Sequence, residues 1–452
     1  AYYFQMDKTD FLSEMDTFSK LNLSTKDEDS FKFKALKIYQ DLLVLNANNP
    51  DVLLHTDLAR LQFVYSQSVV PQKNELYLQA LESLKKKQAQ NEDVTFVYYQ
   101  IANYWFAQGQ KFNPEKGTQF QQDIKKAYQI CQEGINLYPQ SKGSQNCKHL
   151  QNSILQKKLS ILVEKIEPSQ TYFKTLVSYK NLTKIHYKIV KVTRQEVSER
   201  RKKQRKDYED YEEKKFLSYF IEKNEVKKGA FDLPDTQDYQ EHRTEVPFEG
   251  LPTGDYMLLI SDRADFKVQK NVIAYSFISI SDIAYIHKNQ PDGTTDFYVL
   301  HRKTGLPLAG AKAYVFKHKY NSQKGDYEAV IENTYTADSK GYFKVPYIYR
   351  EEEYTNGLSV DFKLNNDFIS TRPIDSKAYY ESYGSLYQNK WESDRSYTQA
   401  YFFLDRAIYR PGQTIYFKGI MITKTGKISN IEANRQVSVR FYDANRQLVE
   451  EK

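Results

Sequence analysis

Few residues in this 452-residue chain have both the type and the spacing that chemistry demands. The two cysteines, Cys131 and Cys147, could supply a thiolate or a disulfide. Their spacing fits no CxxC redox or metal motif. An oxidising compartment would favour a bridge, and a packed interior would favour two inert thiols; spacing leaves both readings open. The seven histidines are scattered, with no HExxH and no pair at metal-ligand spacing. There is no GxSxG elbow, no P-loop and no GxGxxG turn. Carboxylates are plentiful, as on any charged surface, and their order along the chain carries no geometry. No catalytic, cofactor-binding or metal-binding residue is therefore expected. No cofactor is expected, and the chain is not read as an enzyme.

Charge points to no special partner either. The net charge is +7, but the basic run Arg200, Arg201, Lys202, Lys203, Arg205 and Lys206 is followed at once by Asp207, Glu209, Asp210, Glu212 and Glu213. Phosphate binding needs a standing positive field, and this one is neutralised locally. The stretch reads as a solvated helical or disordered insertion, and no nucleic-acid partner is expected. Hydrophobic residues make up 40% and charged residues 27%, with a mean hydropathy of -0.72. No apolar run approaches the ~18 residues of a membrane helix, so these residues are not expected to insert into a membrane. The chain opens Ala1-Tyr2-Tyr3 without a methionine or a signal-like apolar core, as a processed start would.

The length suggests roughly three domains. Residues 1–166 read as helical, with sparse glycine and proline and apolar positions at helical spacing. Ala35, Ile38, Leu42 and Leu45 fall on one face of a helix closed by Asn48-Asn49-Pro50. A second copy runs from Lys126 to Leu137 and is closed by Tyr138-Pro139. Aligned, the two give a weak repeat, K-A-x-x-I-x-Q-acid-x-aliphatic-x-L. Tyr98 to Gly109 with that second copy resembles one tetratricopeptide-type unit, where Ala102, Tyr104, Gly109 and Ala127 fit. Such hairpins stack to bury faces they cannot bury alone. A packed support domain is the favoured reading over a peptide-binding groove.

Near Pro168 the texture changes. Leu182, Ile185, Tyr187 and Ile189 alternate with polar residues, as half-buried strands do. Helical composition interrupts from about Glu196 to Lys228. Strand texture returns at Thr244–Phe248, Tyr256–Ile260 and Asn271–Ile280, giving a first β-sandwich at 167–281 with a charged insertion at about 196–228. A second sandwich is expected at 282–375. Its layout is a strand at Asp296–His301, a Lys303-Thr304-Gly305 turn, a strand over Leu308–Phe316 and a D-x-x-G hairpin at Asp338–Gly341. Residues 376–397, rich in Tyr, Ser and charge, read as a linker. A third sandwich begins at 398 and is expected to be incomplete, because about 55 residues cannot make an immunoglobulin-like sandwich of about 100.

The string at Tyr401–Ile420, YFFLDRAIYRPGQTIYFKGI, joins two apolar strands through a Pro411-Gly412 turn. Asp405, Arg406, Tyr409, Arg410, Pro411, Gly412, Gln413 and Tyr416–Gly419 resemble the MG2-type signature that opens a macroglobulin β-sandwich in bacterial alpha-2-macroglobulin-like proteins. The resemblance covers roughly residues 167–452. It implies an α+β multidomain chain: a helical, tetratricopeptide-like region followed by tandem immunoglobulin-like, macroglobulin-type antiparallel sandwiches.

The resemblance also implies a function. Family members are protease traps: a protease cuts a bait segment, the molecule collapses around it, and a thioester of the form C-x-E-Q can couple to the protease. Here Cys131 is followed by Gln132-Glu133-Gly134, and Cys147 by Lys148-His149-Leu150. Neither is a thioester cysteine, so the bait and any thioester are expected outside these residues. The chain is expected to be the N-terminal structural part of an envelope endopeptidase inhibitor, exported to the periplasm or cell surface, with proteases as partners of the full-length protein. The rival reading is an envelope scaffold that binds glycan or protein through its sandwiches and helical repeats, since sandwich folds host many functions.

Overall fold

The computed structural model describes residues 3–205, 213–290, 294–321, 326–346, 357–371, 374–375, 396–404, 413–425, 428–443 and 446–452. The chain divides into two units. The first comprises residues 1–284, 299–312 and 361–370; the second comprises 285–298, 313–360 and 371–452.

The first unit begins with helices: α1 (Met15–Phe18), α2 (Phe31–Leu45), α3 (Pro50–Gln67), α4 (Lys73–Lys87), α5 (Val94–Gly109), α6 (Asp123–Leu137) and α7 (Lys142–Leu155). Local chemistry sets their ends. The Ser30 hydroxyl accepts from the Phe33 N–H, the Asn49 side chain from Val52 and the Ser141 hydroxyl from Ser144. Each satisfies a donor the helix start leaves unpaired. Pro50 sits in the first turn of α3, where its missing N–H costs nothing. Leu36, Leu54, Leu61, Leu81, Ile101, Ala127 and Ile154 belong to one continuous core. Gly143 lets α7 approach α5 closely: a Cβ there would stand 2.4 Å from the backbone of Thr95 and Phe96.

One buried cation pins the N-terminal segment. Arg60 is fully buried. Its Nε donates to Asp57 at 2.7 Å, and its other nitrogens donate to the Phe11 and Ser13 carbonyls at 2.9 Å each. The guanidinium lies 4.3 Å from the Phe18 ring centroid.

The face assigned to α2 from sequence is corrected. Phe33, Leu36 and Leu43 are its buried residues, while Ile38, Leu42 and Leu45 are exposed. The helix carries two apolar stripes, and periodicity cannot say which of them meets the core.

Two sheets follow. The strands β1 (Lys158–Val163), β3 (Phe173–Lys180) and β6 (His242–Phe248) form one, in the order β1-β3-β6. The other holds β2 (Ile166–Glu167), β4 (Lys184–Val192), β5 (Glu225–Asp232), β7 (Gly254–Ser261) and β8 (Ile273–Ile280), in the order β2-β8-β7-β4-β5. The β2–β8 pair is parallel and the other pairs are antiparallel. Between the sheets, Phe173, Val177 and Phe248 of the first meet Ile185, Ile189, Leu258 and Ile260 of the second. This is a β-sandwich.

The insertion is corrected too. It forms α8 (Arg194–Arg205) and α9 (Glu213–Ile221), and residues 225–232 are strand β5. Rather than lying wholly in solvent, α9 buries Phe216, Leu217 and Phe220 against Val190, Val192, Met257 and Leu259 on the outer face of the five-stranded sheet. Two of the basic residues stack on α9. Arg200 lies 3.6 Å from the Tyr219 ring centroid and Arg201 5.6 Å from that of Phe216. Residues 206–212 lie outside the described residues. Strand β7 is therefore covered on both sides, as its nearly continuous burial shows.

The second unit holds most of β9 (Ile283–Asn289), β10 (Thr295–His301) and β11 (Lys312–Asn321), all of β12 (Asp326–Thr336) and β13 (Tyr342–Val345), and half of β14 (Gly357–Leu364), while β15 (Asp367–Ser370) lies in the first unit. One sheet runs β13-β10-β9, with Phe297 and Phe343 opposite each other and stacked at 4.9 Å. The Asp338–Gly341 turn forms, but the hairpin expected there is corrected: the turn joins β12, which pairs with β11, to β13, which pairs with β10 in a different sheet. The Asp338 carboxylate accepts from the Lys340 and Tyr342 N–H groups at 2.8 Å, and Gly341 adopts φ +71. Strand β11 starts later than expected, because Gly310 turns the chain at φ +75 before it.

Farther on are β16 (Ile374–Asp375), the sheet of β17 (Ser396–Leu404), β18 (Phe417–Thr425) and β19 (Ile428–Ile431), and the pair β20 (Arg440–Tyr442) and β21 (Leu448–Glu451). Ser396 and Tyr397, placed in the linker from sequence, belong to β17; the rest of that linker, 376–395, lies outside the described residues. Among the described residues from 396 onward, none is buried.

Candidate functional site

The most developed polar site in the first unit lies where the helices meet the first sandwich. The connection from β5 to β6 builds it. Leu233 is buried, and the Pro234 carbonyl accepts from the Tyr179 hydroxyl at 3.1 Å. Gln237 and Tyr239 then take φ of +50 and +57, a region that costs a side-chain-bearing residue of the order of 1 kcal/mol or more. The turn aims Asp238 inward, where it is 1% exposed. Its carboxylate accepts from Gln121 at 2.9 Å, Thr236 at 2.9 Å and the Gln240 N–H at 3.0 Å, and lies 2.9 Å from His242 Nε2. Burial pushes this carboxyl up. The bonds from His242, Gln121, Gln240 and Thr236 outweigh burial and hold it below the ordinary Asp value.

The same loop locks onto the helices. Gln240 Nε2 donates to the Gly109 carbonyl at the end of α5, at 2.9 Å. Tyr239 packs 5.2 Å from Tyr128 of α6. From the sandwich side, Asn181 (φ +56) donates its side-chain N–H to the Ile154 carbonyl at 2.8 Å, satisfying the end of α7. These groups border a cavity of about 330 Å³ whose lining includes Lys125, Asn181, Asp235, Thr236, Tyr239 and His242.

Asp238, His242 and Thr236 look like a catalytic triad in composition but not in geometry. A triad needs the carboxylate on one imidazole nitrogen and the hydroxyl on the other. Here both meet Nε2: Thr236 Oγ1 stands 2.9 Å from it, as does Asp238. Such an arrangement holds the loop and cannot relay a proton from hydroxyl to carboxylate. Among the described residues, no group of three or more His, Cys, Asp or Glu side chains could hold a metal ion.

A second polar network ends the sandwich. Arg302 donates to the Ser281 carbonyl at 2.9 Å, and Asp282 accepts from the Ser169 N–H and hydroxyl at 2.9 and 2.6 Å. Arg194 donates to Ser279 at 2.9 Å, and Ser279 donates to Asp255 at 2.6 Å. Beside them, burial and then the Glu164 charge push the Glu167 carboxyl up to about 7, against the opposing pull of Arg302.

Cys131 and Cys147 are unbridged and buried in the helical core. The neighbouring Cys147 sulfur, together with burial, pushes the Cys131 thiol up, away from the reactive thiolate form. Gln132 follows on the same helix and donates to Asn136 at 2.9 Å. The signature residues Asp405–Gly412 lie outside the described residues. The strands flanking them pair in register, Tyr401 with Ile420 and Phe402 with Gly419.

Sequence reading missed the 233–241 loop and, although it gave helical composition to about 196–228, the buried face of α9. The first left a faint signal in Leu233-Pro234-Asp235, a turn-forming start, and the second in the helical spacing of Phe216, Leu217, Phe220 and Ile221.

No protein-family model matches the chain. An alpha-2-macroglobulin homolog of Yersinia pestis is 27% identical to it over 151 residues, 33% of this chain and 7% of that protein. Part of the chain is thus similar to a bacterial alpha-2-macroglobulin homolog, and the match spans well under a tenth of that relative. Salmonella alpha-2-macroglobulin reacted with methylamine is 12% identical, with 63% of this chain and 19% of that one covered at a TM-score of 0.21. Escherichia coli alpha-2-macroglobulin activated by porcine elastase is 12% identical, with 59% and 24% covered at 0.20. Structural likenesses at so low a TM-score carry no argument about the fold or the function. No described helix is long and apolar enough to cross a membrane.

Proposed function

We propose that this chain is the front, structural part of a bacterial alpha-2-macroglobulin-type endopeptidase inhibitor of the cell envelope. In this reading the first unit is a stiff support, and the bait segment and any thioester lie outside these residues. Proteases are the partners of the whole protein. The single observation that carries the reading is the 151-residue similarity to the Yersinia pestis homolog. The joint between helices and sandwich is what such a support requires. Asp238, Gln240 and Asn181 bind the helical layer through side chains from two separate loops.

The test is to add a broad-specificity protease to the full-length protein and follow cleavage, compaction and covalent adducts, with and without methylamine. One early cut followed by compaction is expected, with a methylamine-sensitive adduct where a thioester is present. Random degradation without a change of shape would overturn the proposal. The cavity beside His242 favours one second reading, an envelope scaffold that binds glycan or protein. Saturable binding of a glycan by the chain, lost in Asp235→Ala, together with no response to protease, would support it.

A further inference from the structure

Helix α2 has an apolar stripe that nothing in the described structure covers. Phe31, Ile38, Leu42 and Leu45 are 86%, 58%, 38% and 80% exposed, and half-buried Ala35 lies between the first two. The steps from Phe31 through Ala35, Ile38 and Leu42 to Leu45 are four, three, four and three residues. That spacing makes the seam of a two-helix coiled coil. A helix packed on one side only ordinarily turns a polar face outward, and α2 does not.

We infer that this stripe is where a second copy of the chain docks, with the two α2 helices antiparallel about a two-fold axis at Ile38. The stripe reads nearly alike in both directions. Phe31 and Leu45 each stand seven residues from Ile38, and Ala35 and Leu42 stand three before and four after it. In an isologous contact residue i meets j and j meets i. Phe31 then meets Leu45 of the second copy, the small Ala35 leaves room for Leu42, and Ile38 meets its own copy.

The charges select the direction. Lys34 and Asp41 each precede a seam position by one residue, so they lie on one flank of the stripe. Antiparallel packing brings Lys34 of one copy beside Asp41 of the other, twice. Parallel packing would set Lys34 against Tyr39 and Asp41 against Asn46, and leave both charges without opposite partners. In the single copy Lys34 reaches the fully exposed Asp29 at 3.4 Å, a pairing of small worth that is readily exchanged. Two 15-residue helices bury less than the ~1,600 Å² of a standard interface, so the association is expected in roughly the micromolar range. This inference goes beyond the protease-trap reading and stands or falls without it.

The experiment is sedimentation of the whole chain from about 1 to 100 µM. The mass should rise from the 53.2 kDa monomer toward twice that value. Ile38→Glu should remain monomeric throughout, with an unchanged thermal melt showing that it is folded. Lys34→Asp and Asp41→Lys should each weaken the dimer about tenfold, and the double swap should restore it. A wild-type monomer at every concentration would assign the face to a different partner and overturn the proposal. So would an Ile38→Glu variant that dimerises as wild type, or a double swap no tighter than its single variants.

Discussion

Strands β7 and β18 have much the same local character and opposite fates. Both are rich in apolar residues and pair antiparallel on either side. In β7, Leu258 and Ile260 face the opposing sheet, and Met257 and Leu259 face α9, so the strand is dry on both sides. In β18, Phe417 is exposed and no residue is buried. A sheet face becomes a core only when a second layer covers it. The first unit supplies two covers, and the described residues from 396 onward supply none.

The largest expected effect is at the buried cation. Arg60→Ala would strand Asp57 in the helical core without its partner and should cost about 3–5 kcal/mol, read as a drop in the urea midpoint at unchanged slope. Arg440→Ala, which removes an exposed 3.0 Å pair with Glu451, should cost no more than about 1 kcal/mol. Equal losses would mean that the two regions are packed alike.

The strands themselves give the next contrast. Leu258→Ala should cost about 2–5 kcal/mol because it opens a cavity between filled layers. Phe402→Ala, on a half-exposed ring, should cost under about 1 kcal/mol by the same unfolding measurement. A large loss at Phe402 would show that a covering layer is present in solution.

The smallest effect is a pH dependence confined to the first unit. The Glu167 carboxyl is raised to about 7 from an ordinary 4.5. The folded state therefore favours the neutral form. Its contribution is complete below about pH 4.5 and is lost as pH rises through about 7, and solvent screening limits it to about 1 kcal/mol. Thermal melts across that window should decline for the wild type more than for Glu167→Gln. Parallel profiles would remove Glu167 as the cause.

Much of the local structure was legible because it rests on local rules. The alternation of Ile185, Tyr187 and Ile189 gave β4, Asn48-Asn49-Pro50 gave the end of α2, and Asp338–Gly341 gave a turn, although it joins strands of two different sheets and closes no hairpin. What was not legible depends on distant partners. On α2 two apolar stripes compete, and only the position of the neighbouring helices decides that Leu36 is buried and Ile38 is not. Helix α9 hides Phe216 and Phe220 among lysines and glutamates, so its composition reads as solvated although one face is dry. The joint was the least visible part. Asn181, Gln237 and Tyr239 adopt positive φ without being glycine, and Asp238 is an ordinary turn residue until Gln121, more than a hundred positions earlier, closes on it.

The most direct test of a stiff front support is limited proteolysis of the full-length protein, with the first cuts mapped by mass spectrometry. The stretch from Phe31 to Val192, which carries α2 through β4 and the Asn181 clasp, should survive intact while the first cuts fall elsewhere. First cuts inside that stretch would contradict a rigid union of helices and sandwich, and with it the role of this chain as a support.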